Sequence, residues 1–227
     1  MRIIGHKGCH FHPNTTRSVK HVLKIKNLYA IEIDIRLCKN NLIVFHDEYL
    51  KNEKLINMTY EEIKNRFPTV PALNEILDIV DNRTVVFLDI KIDFETFHHN
   101  SRRYITSLTN TIEKYIKHKK WKPKNFIVSS FHHIFVGKII EELNTKKIHI
   151  KMACSYESTF LHMPTCDIIS INYNYLTTDI IEICKLKGIE LFVFVVNDEK
   201  IFKLLKNKNV DAIITDFPLK FTKNKNN

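Results

Sequence analysis

Apolar residues recur in two rhythms along this chain. Short, nearly continuous apolar runs stand at 2–5, 30–35, 84–90, 126–129, 148–153, 167–171, 189–195 and 211–214. Val85-Val86-Phe87-Leu88 and Leu191-Phe192-Val193-Phe194-Val195-Val196 show the type. A strand covered on both sides needs apolar side chains on both, so these runs predict parallel strands. Between them, apolar residues fall three and four apart, the spacing of one helix face. Val19, Val22 and Leu23 share such a face in 15–26, and Leu73, Ile76, Leu77 and Val80 in 72–80. Ile105, Leu108, Ile112 and Ile116 do so in 103–118, and Ile139, Ile140 and Leu143 in 133–144. Segments 178–187 and 199–207 repeat the pattern. Gly188 is placed to stop the first of these two, and Asp198 to cap the start of the second.

Strand runs that alternate with helical stretches predict a closed (β/α)8 TIM barrel of the α/β class, with an open doubly wound sheet as the rival. The link 154–166 carries no long helical pattern, and Pro164 interrupts it. Residues 48–71 also leave the alternation, after a further strand-like piece at Leu42-Ile43-Val44-Phe45. They hold a short helix candidate from Thr59 to Asn65, with Thr59 and Glu62 spaced as a capping box, and close on Pro68 and Pro71. This segment reads as a short excursion after the second strand and not as a second domain. The expected organisation is one barrel domain over 1–221, including the reduced insertion at 48–71, and a polar tail at 222–227.

Composition narrows the function classes. With 227 residues, 44% hydrophobic and 26% charged, the chain suits one globular core. No apolar stretch approaches the roughly 20 residues that cross a bilayer, and the opening Met1-Arg2-Ile3-Ile4-Gly5-His6 reads as a first strand, not a signal peptide. Five widely spaced cysteines without a CxxC pair favour free thiols and a cytoplasmic location. Four glycines and no GxGxxG exclude a dinucleotide site of that kind. The formal charge of +10 favours anionic partners without naming one. The densest basic run, 117–124, stands at a predicted helix end and reads as a solvated cap; Trp121 alone makes no stacking platform. No obligate nucleic acid is expected, peripheral membrane contact is compatible with the charge, and the sequence does not set an oligomeric state.

The candidate chemistry lies at predicted strand ends, where barrel enzymes carry it. The first strand ends in His6-Lys7-Gly8, and the second carries Glu32 and Asp34, two apart and hence on one face. The next piece ends in His46-Asp47, the third strand in Asp89 and Lys91, and the eighth in Thr215-Asp216-Phe217-Pro218. Each fragment alone is weak, since a lone His is as often structural as catalytic. Two carboxylates that interrupt an apolar run are harder to place without a partner. Inward-facing, they repel and take up protons unless a cation sits between them. With Asp89 they form an all-oxygen set, which suits one divalent cation, Mg²⁺ or Ca²⁺, better than zinc. Histidines 6 and 46 supply groups that titrate near neutrality, while Lys7 and Lys91 attract an anion. Asp47 orients an imidazole or a backbone group, although neighbours on a strand point to opposite faces. Asn14 caps the first helix with Thr15, or leans into the site. Asn197 reaches substrate from the seventh strand or serves a turn, and Asp216 reads as a turn residue. Phe131, Tyr173 and Phe217 are candidates for an apolar wall, with a core role the default. Ser129 and Ser130 lack the partners of a serine nucleophile.

Taken in order, these fragments resemble the glycerophosphodiester phosphodiesterase family. The resemblance runs from His6 to Pro218 and also takes in Asn14-Thr15, Asp89-Ile90-Lys91, Ser129-Ser130-Phe131 and Val196-Asn197. It implies a barrel with one divalent metal on Glu32, Asp34 and Asp89, an acid/base pair in His6 and His46, and Lys91 near the phosphate. It implies release of glycerol-3-phosphate and an alcohol, with a cyclic phosphate formed by the substrate's own hydroxyl. This chain departs from the family pattern at Lys7 (usually arginine), at Asp89 (usually glutamate), at His12-Pro13 (usually proline-glutamate) and at Phe194 (commonly tryptophan). A small glycerophosphodiester is the expected substrate. Lysophospholipase D or sphingomyelinase D-like chemistry is the nearest alternative, and a catalytically silent basic module the most distant.

Overall fold

The protein is described here by a computed structural model that covers residues 1–159 and 164–222. Eight parallel strands form the barrel: β1 (Arg2–Gly5), β2 (Ala30–Leu37), β6 (Val85–Ile90), β7 (Phe126–Ser130), β8 (Lys151–Tyr156), β9 (Ile168–Asn172), β10 (Glu190–Phe194) and β11 (Ala212–Thr215). Closure decides between barrel and open sheet. The first strand pairs with the last, Ile4 beside Ile214, and also with the second, Ile4 beside Ala30. No edge of the parallel ladder is left free, which removes the open-sheet alternative.

Helices α1 (Thr16–Val22), α3 (Leu73–Val80), α4 (Ser101–Lys117), α5 (His133–Thr145), α6 (Thr178–Lys187) and α7 (Glu199–Asn207) cover the outside, and α8 (Pro218–Thr222) closes the chain. Two apolar layers result. Inside the barrel, Ile4, Ala30, Phe87, Ile127, Ile168, Phe192 and Ile214 fill the axis. Outside, strand residues such as Ile31, Ile33 and Val128 meet Val19, Leu77, Tyr104, Leu108 and Ile139 from the helices. This double cover explains why the strand runs are apolar at every position. Tyr104 is fully buried, and its hydroxyl donates to the Ile35 carbonyl at 2.5 Å, so the helix layer is keyed to the C-terminal half of β2.

The excursion has its own small core. Strand β3 (Leu42–Val44) returns antiparallel along β2, followed by the hairpin of β4 (Tyr49–Leu50) and β5 (Glu53–Lys54) and by α2 (Tyr60–Arg66). Cys38, Ile43, Leu50, Met58, Ile63 and Val70 pack together there. The Thr59–Glu62 capping box forms as the spacing predicts.

Some boundaries differ from expectation. The fifth barrel strand is 151–156 and not 148–153. Ile148 instead closes the end of α5: its N–H donates to the Leu143 carbonyl and its side chain is buried in the outer core. An apolar cap after a helix and the start of a buried strand look alike in sequence. The first helix is shorter than 15–26, with Leu23 as its last half-turn and Asn27 at φ 62°. Trp121 is buried and stacks on Phe126 at 5.0 Å, so part of the basic run belongs to the core. The middle of the link 154–166 and the tail beyond Thr222 lie outside the described residues. Among the described residues, no helix is long and apolar enough to cross a membrane.

Candidate active site

The pairing register brings the carboxylates together. Glu32 and Asp34 point into the barrel from β2, and Asp89 stands directly beside Asp34 on β6. All three are buried, and each offers an oxygen within 4.8 Å of the others. Lys91 reaches in from just beyond β6, with Nζ 2.6 Å from Asp89 Oδ2 and 3.1 Å from Asp34 Oδ1. Lys7 Nζ lies 3.5 Å from Asp34 Oδ2. One buried oxygen on Asp34 and one on Asp89 accept no hydrogen bond; the Lys91 ammonium is close to Asp34 Oδ1 but off the bonding direction.

Electrostatics follow from this crowding. Burial, with the neighbouring charges of Asp34 and Asp89, pushes Glu32 up to about 8, although His6 and the Lys7 N–H oppose the shift. Burial also raises Asp89, and Lys91 only partly offsets it. For Asp34, burial is outweighed by Lys91, Lys7 and Asn14, and the group is held below the usual carboxylate range. Buried carboxylates with orphan oxygens at this spacing fit a hard divalent cation, which would satisfy the free lone pairs and remove the repulsion.

The turn after β1 clasps this cluster. The Lys7 N–H donates to Glu32 Oε2 at 2.6 Å and the Gly8 N–H to the Glu32 carbonyl at 3.1 Å. Two glycines make the turn possible. A Cβ on Gly5 would stand 2.2 Å from the Gly8 carbonyl oxygen, and Gly8 itself has φ +82°. Thr15 caps α1, while Asn14 does not. Asn14 is buried, donates from Nδ2 to Asp34 Oδ2 at 2.6 Å and accepts the Asp34 N–H. Its role as a helix cap is therefore corrected: at φ 60° its side chain turns inward to hold a carboxylate.

His6 and His46 each have an aspartate partner. His6 Nδ1 lies 2.7 Å from Asp216 Oδ1, and Asn197 Nδ2 donates to the other Asp216 oxygen at 2.6 Å. Asn197 Oδ1 in turn accepts from the Thr215 hydroxyl and the Asp216 N–H. Burial lowers the His6 pKa, but the hydrogen bond to Asp216 and the charges of Glu32 and Asp216 outweigh it, and the net shift is upward. His46 Nδ1 lies 2.7 Å from Asp47 Oδ1. Both residues stand in the bend after β3, outside any strand, so the rule of opposite faces does not separate them. Arg36 fixes this bend by donating to the His46 carbonyl at 2.8 Å while pairing with Asp93 at 3.1 Å.

A cleft of about 210 Å³ opens above the carboxylates. His6, Lys7, Glu32, His46, Asp89 and Lys91 line it from the ends of β1, β2, β3 and β6, and Phe131, Ser155, Glu157, Ser170 and Phe194 from the ends of β7 to β10. Phe217 lies elsewhere. It packs on His10 at 4.6 Å and lines a separate apolar cavity with Cys9, His21 and Leu219. Tyr173 is not among the cleft residues either. Sequence reasoning missed Asp216 as the partner of His6, and missed Ser155, Glu157 and Ser170 altogether. The Thr215-Asp216 pair at a strand end was a usable signal, whereas single residues in the fifth and sixth strands carry none.

The sequence pattern of the glycerophosphoryl diester phosphodiesterase family matches residues 6–220. The chain belongs to this family. A glycerophosphodiester phosphodiesterase of Bacillus altitudinis is 24% identical over 96% of this chain and 95% of its own length. An Oleispira antarctica phosphodiesterase, solved with the product sn-glycerol-3-phosphate, superposes with a TM-score of 0.80 at 18% identity, over 99% of this chain and 97% of that one. The Thermotoga maritima glycerophosphodiester phosphodiesterase gives a TM-score of 0.76 at 22% identity, over 98% and 97%. Family membership and the acidic cluster identify an enzyme of the glycerophosphodiester phosphodiesterase type, which hydrolyses glycerophosphodiesters. They set aside the reading as a silent basic module.

Proposed function

We propose that this enzyme splits small glycerophosphodiesters into sn-glycerol-3-phosphate and an alcohol, with Glu32, Asp34 and Asp89 holding one Mg²⁺ or Ca²⁺ ion. The supporting observation is the convergence of three buried carboxylates, two unlike histidines and two lysines on one cleft. Bound there, the ion supplies Lewis-acid charge to the phosphate oxygens. Lys91 and Lys7 add positive charge on the same side, where negative charge grows in the transition state. His6 and His46 each use Nδ1 for an aspartate, which leaves Nε2 of each for proton transfer. His6 takes the proton of the attacking hydroxyl, and His46 protonates the departing alcohol. The attacking hydroxyl is the substrate's own, on the glycerol carbon beside the ester, so the first product is a cyclic phosphate. Water then opens the ring with the proton roles reversed. An internal nucleophile needs no separate capture, which lowers the entropic cost.

The test is product analysis with glycerophosphocholine and a lysophospholipid, after chelation and with Mg²⁺ or Ca²⁺ restored. The expected result is metal-restored release of sn-glycerol-3-phosphate. Turnover that survives complete chelation would remove the metal from the reading. A cyclic lipid phosphate as sole product would move the enzyme to the sphingomyelinase D-like alternative.

A further inference from the structure

The surface beside the barrel mouth carries apolar and basic groups that the reaction does not use. Phe11, Phe94, Phe131, Tyr173 and Phe217 are 38% to 76% exposed, and each follows the C-terminal end of a barrel strand. One end of the barrel thus presents aromatic side chains to its surroundings. Between α1 and α8 lies an apolar cavity of about 310 Å³, lined by Cys9, His10, His21, Ile25, Phe217 and Leu219. Leu219 is exposed as well. Basic residues surround this flank. From Lys7 to Ile31 the chain holds five Lys or Arg residues and no acidic one. Arg17, Lys20 and Lys24, three and four apart, share the face of α1 and its last turn that is opposite the buried Val19 and Val22. All three are exposed, and among the described residues none makes an ion pair. Lys220 of α8 also lines the cavity and pairs with Glu199 at 3.3 Å.

We propose that the flank between α1 and α8 docks the enzyme on anionic lipid membranes. Phe11, Phe217 and Leu219 enter the head-group layer, while Arg17, Lys20 and Lys24 lie against lipid phosphates. Two different attractions act on this surface. Unpaired cations are drawn to a negative plane from a distance. Exposed apolar side chains gain only when something apolar removes them from water. A nucleic acid satisfies the cations but has no match for an open aliphatic cavity. A bilayer with anionic head groups satisfies both. Docked this way, the cleft opens close to the lipid surface.

The test is cosedimentation of the full chain with vesicles of phosphatidylcholine alone and of equal parts phosphatidylcholine and phosphatidylglycerol. Wild type should bind the mixed vesicles at least about 10-fold more tightly than the neutral ones. Lys20→Gln with Lys24→Gln should lower that binding about 10- to 30-fold. Lys124→Gln with Lys138→Gln, two exposed lysines that flank β7, should change it less than about 3-fold. Phe217→Ser with Leu219→Ser should lower it about 5- to 10-fold, and this loss should persist in high salt. All three double variants should hydrolyse dissolved glycerophosphocholine within about 2-fold of wild type, since none touches the cleft. Absent binding, or equal binding to both kinds of vesicle, overturns the proposal. So does a β7 pair that costs as much as the α1 pair, which would reduce the effect to net charge. Tighter binding to double-stranded DNA than to mixed vesicles, unchanged by the serine variants, would make the flank a nucleic-acid face and overturn it too. Docking is read without turnover, so its failure leaves the phosphodiesterase reading intact, and an absence of hydrolysis leaves the docking result standing.

Discussion

The two histidines of the cleft have the same partner type and the same 2.7 Å spacing, but they are built differently. His6 and Asp216 are 210 residues apart in sequence and meet only because β1 and β11 are neighbours in the closed barrel. Their pair is partly buried, and Asn197 anchors the aspartate from a third loop. His46 and Asp47 are adjacent in the chain, and their side chains are 49% and 70% exposed. The first pair is held by the fold, with its charge poorly screened. The second is held by a local bend and bathed in water. An interaction in a low-dielectric site is worth several times the same interaction at the surface. The inner aspartate therefore sets the state of its histidine, while the outer one mainly biases its orientation.

The largest expected effects come from the imidazoles themselves. His6→Ala should lower kcat/KM by about 10³–10⁴ and His46→Ala by about 10²–10³, within the range of general acid–base catalysis. Circular dichroism should show an unchanged fold in both. Equal, small losses would mean that neither carries a proton.

The aspartates separate the pairs more sharply. Asp216→Asn should reduce kcat/KM about 10- to 100-fold, because it removes the charge that holds His6 in place. Asp216 helps keep the His6 pKa raised, so this variant should also move the acid limb of the pH–rate profile to lower pH. Asp47→Asn should cost less than about 3-fold, as expected for an exposed pair. A pH–rate series on both variants checks the contrast, and matching losses would erase it.

Metal-free stability probes the buried side alone. Glu32 is pushed from 4.5 to about 8 in the folded chain. A group whose folded pKa is raised contributes stability that is complete below the unfolded value and lost as pH rises through the folded one. Asp89 and His6 are shifted in the same direction. The thermal midpoint of the chelated protein should therefore fall between about pH 5 and 8. Added divalent cation should raise it most at the upper end, where the carboxylates are ready to bind. Calorimetry at several pH values measures both. A midpoint that rises with pH in the chelated protein would contradict the crowding argument.

The smallest effect marks the boundary of the site. Phe217 lies outside the cleft despite its place after the eighth strand. Phe217→Ser should change kcat/KM less than about 2-fold, because its side chain packs on His10 outside the cleft and the substitution keeps its backbone N–H bond to Thr215.

Much of this molecule was legible in the chain itself. The alternation of apolar runs and helical stretches determines a parallel sheet covered on both faces, since such strands tolerate polar positions only near their ends; that the sheet closes into a barrel was decided by the pairing of β1 with β11. Glu32, Asp34 and Asp89 stood out for that reason, as polar interruptions in such runs, and a two-residue spacing is enough to put two of them on one face. His46 beside Asp47 could be read as a motif, although not as a contact, because the bend that joins them leaves no periodic signal.

Tertiary structure alone decided the rest. Closure placed Asp216 against His6, register set Asp89 beside Asp34, and a left-handed turn sent Asn14 inward where capping had been the local default. It also brought Phe131 and Phe194 into the cleft and left Phe217 in a separate cavity. The physical reason is the same in each case. Local periodicity records which face a residue shares with its near neighbours, whereas contacts between distant strands depend on the stagger and curvature of the whole sheet, which no single segment encodes.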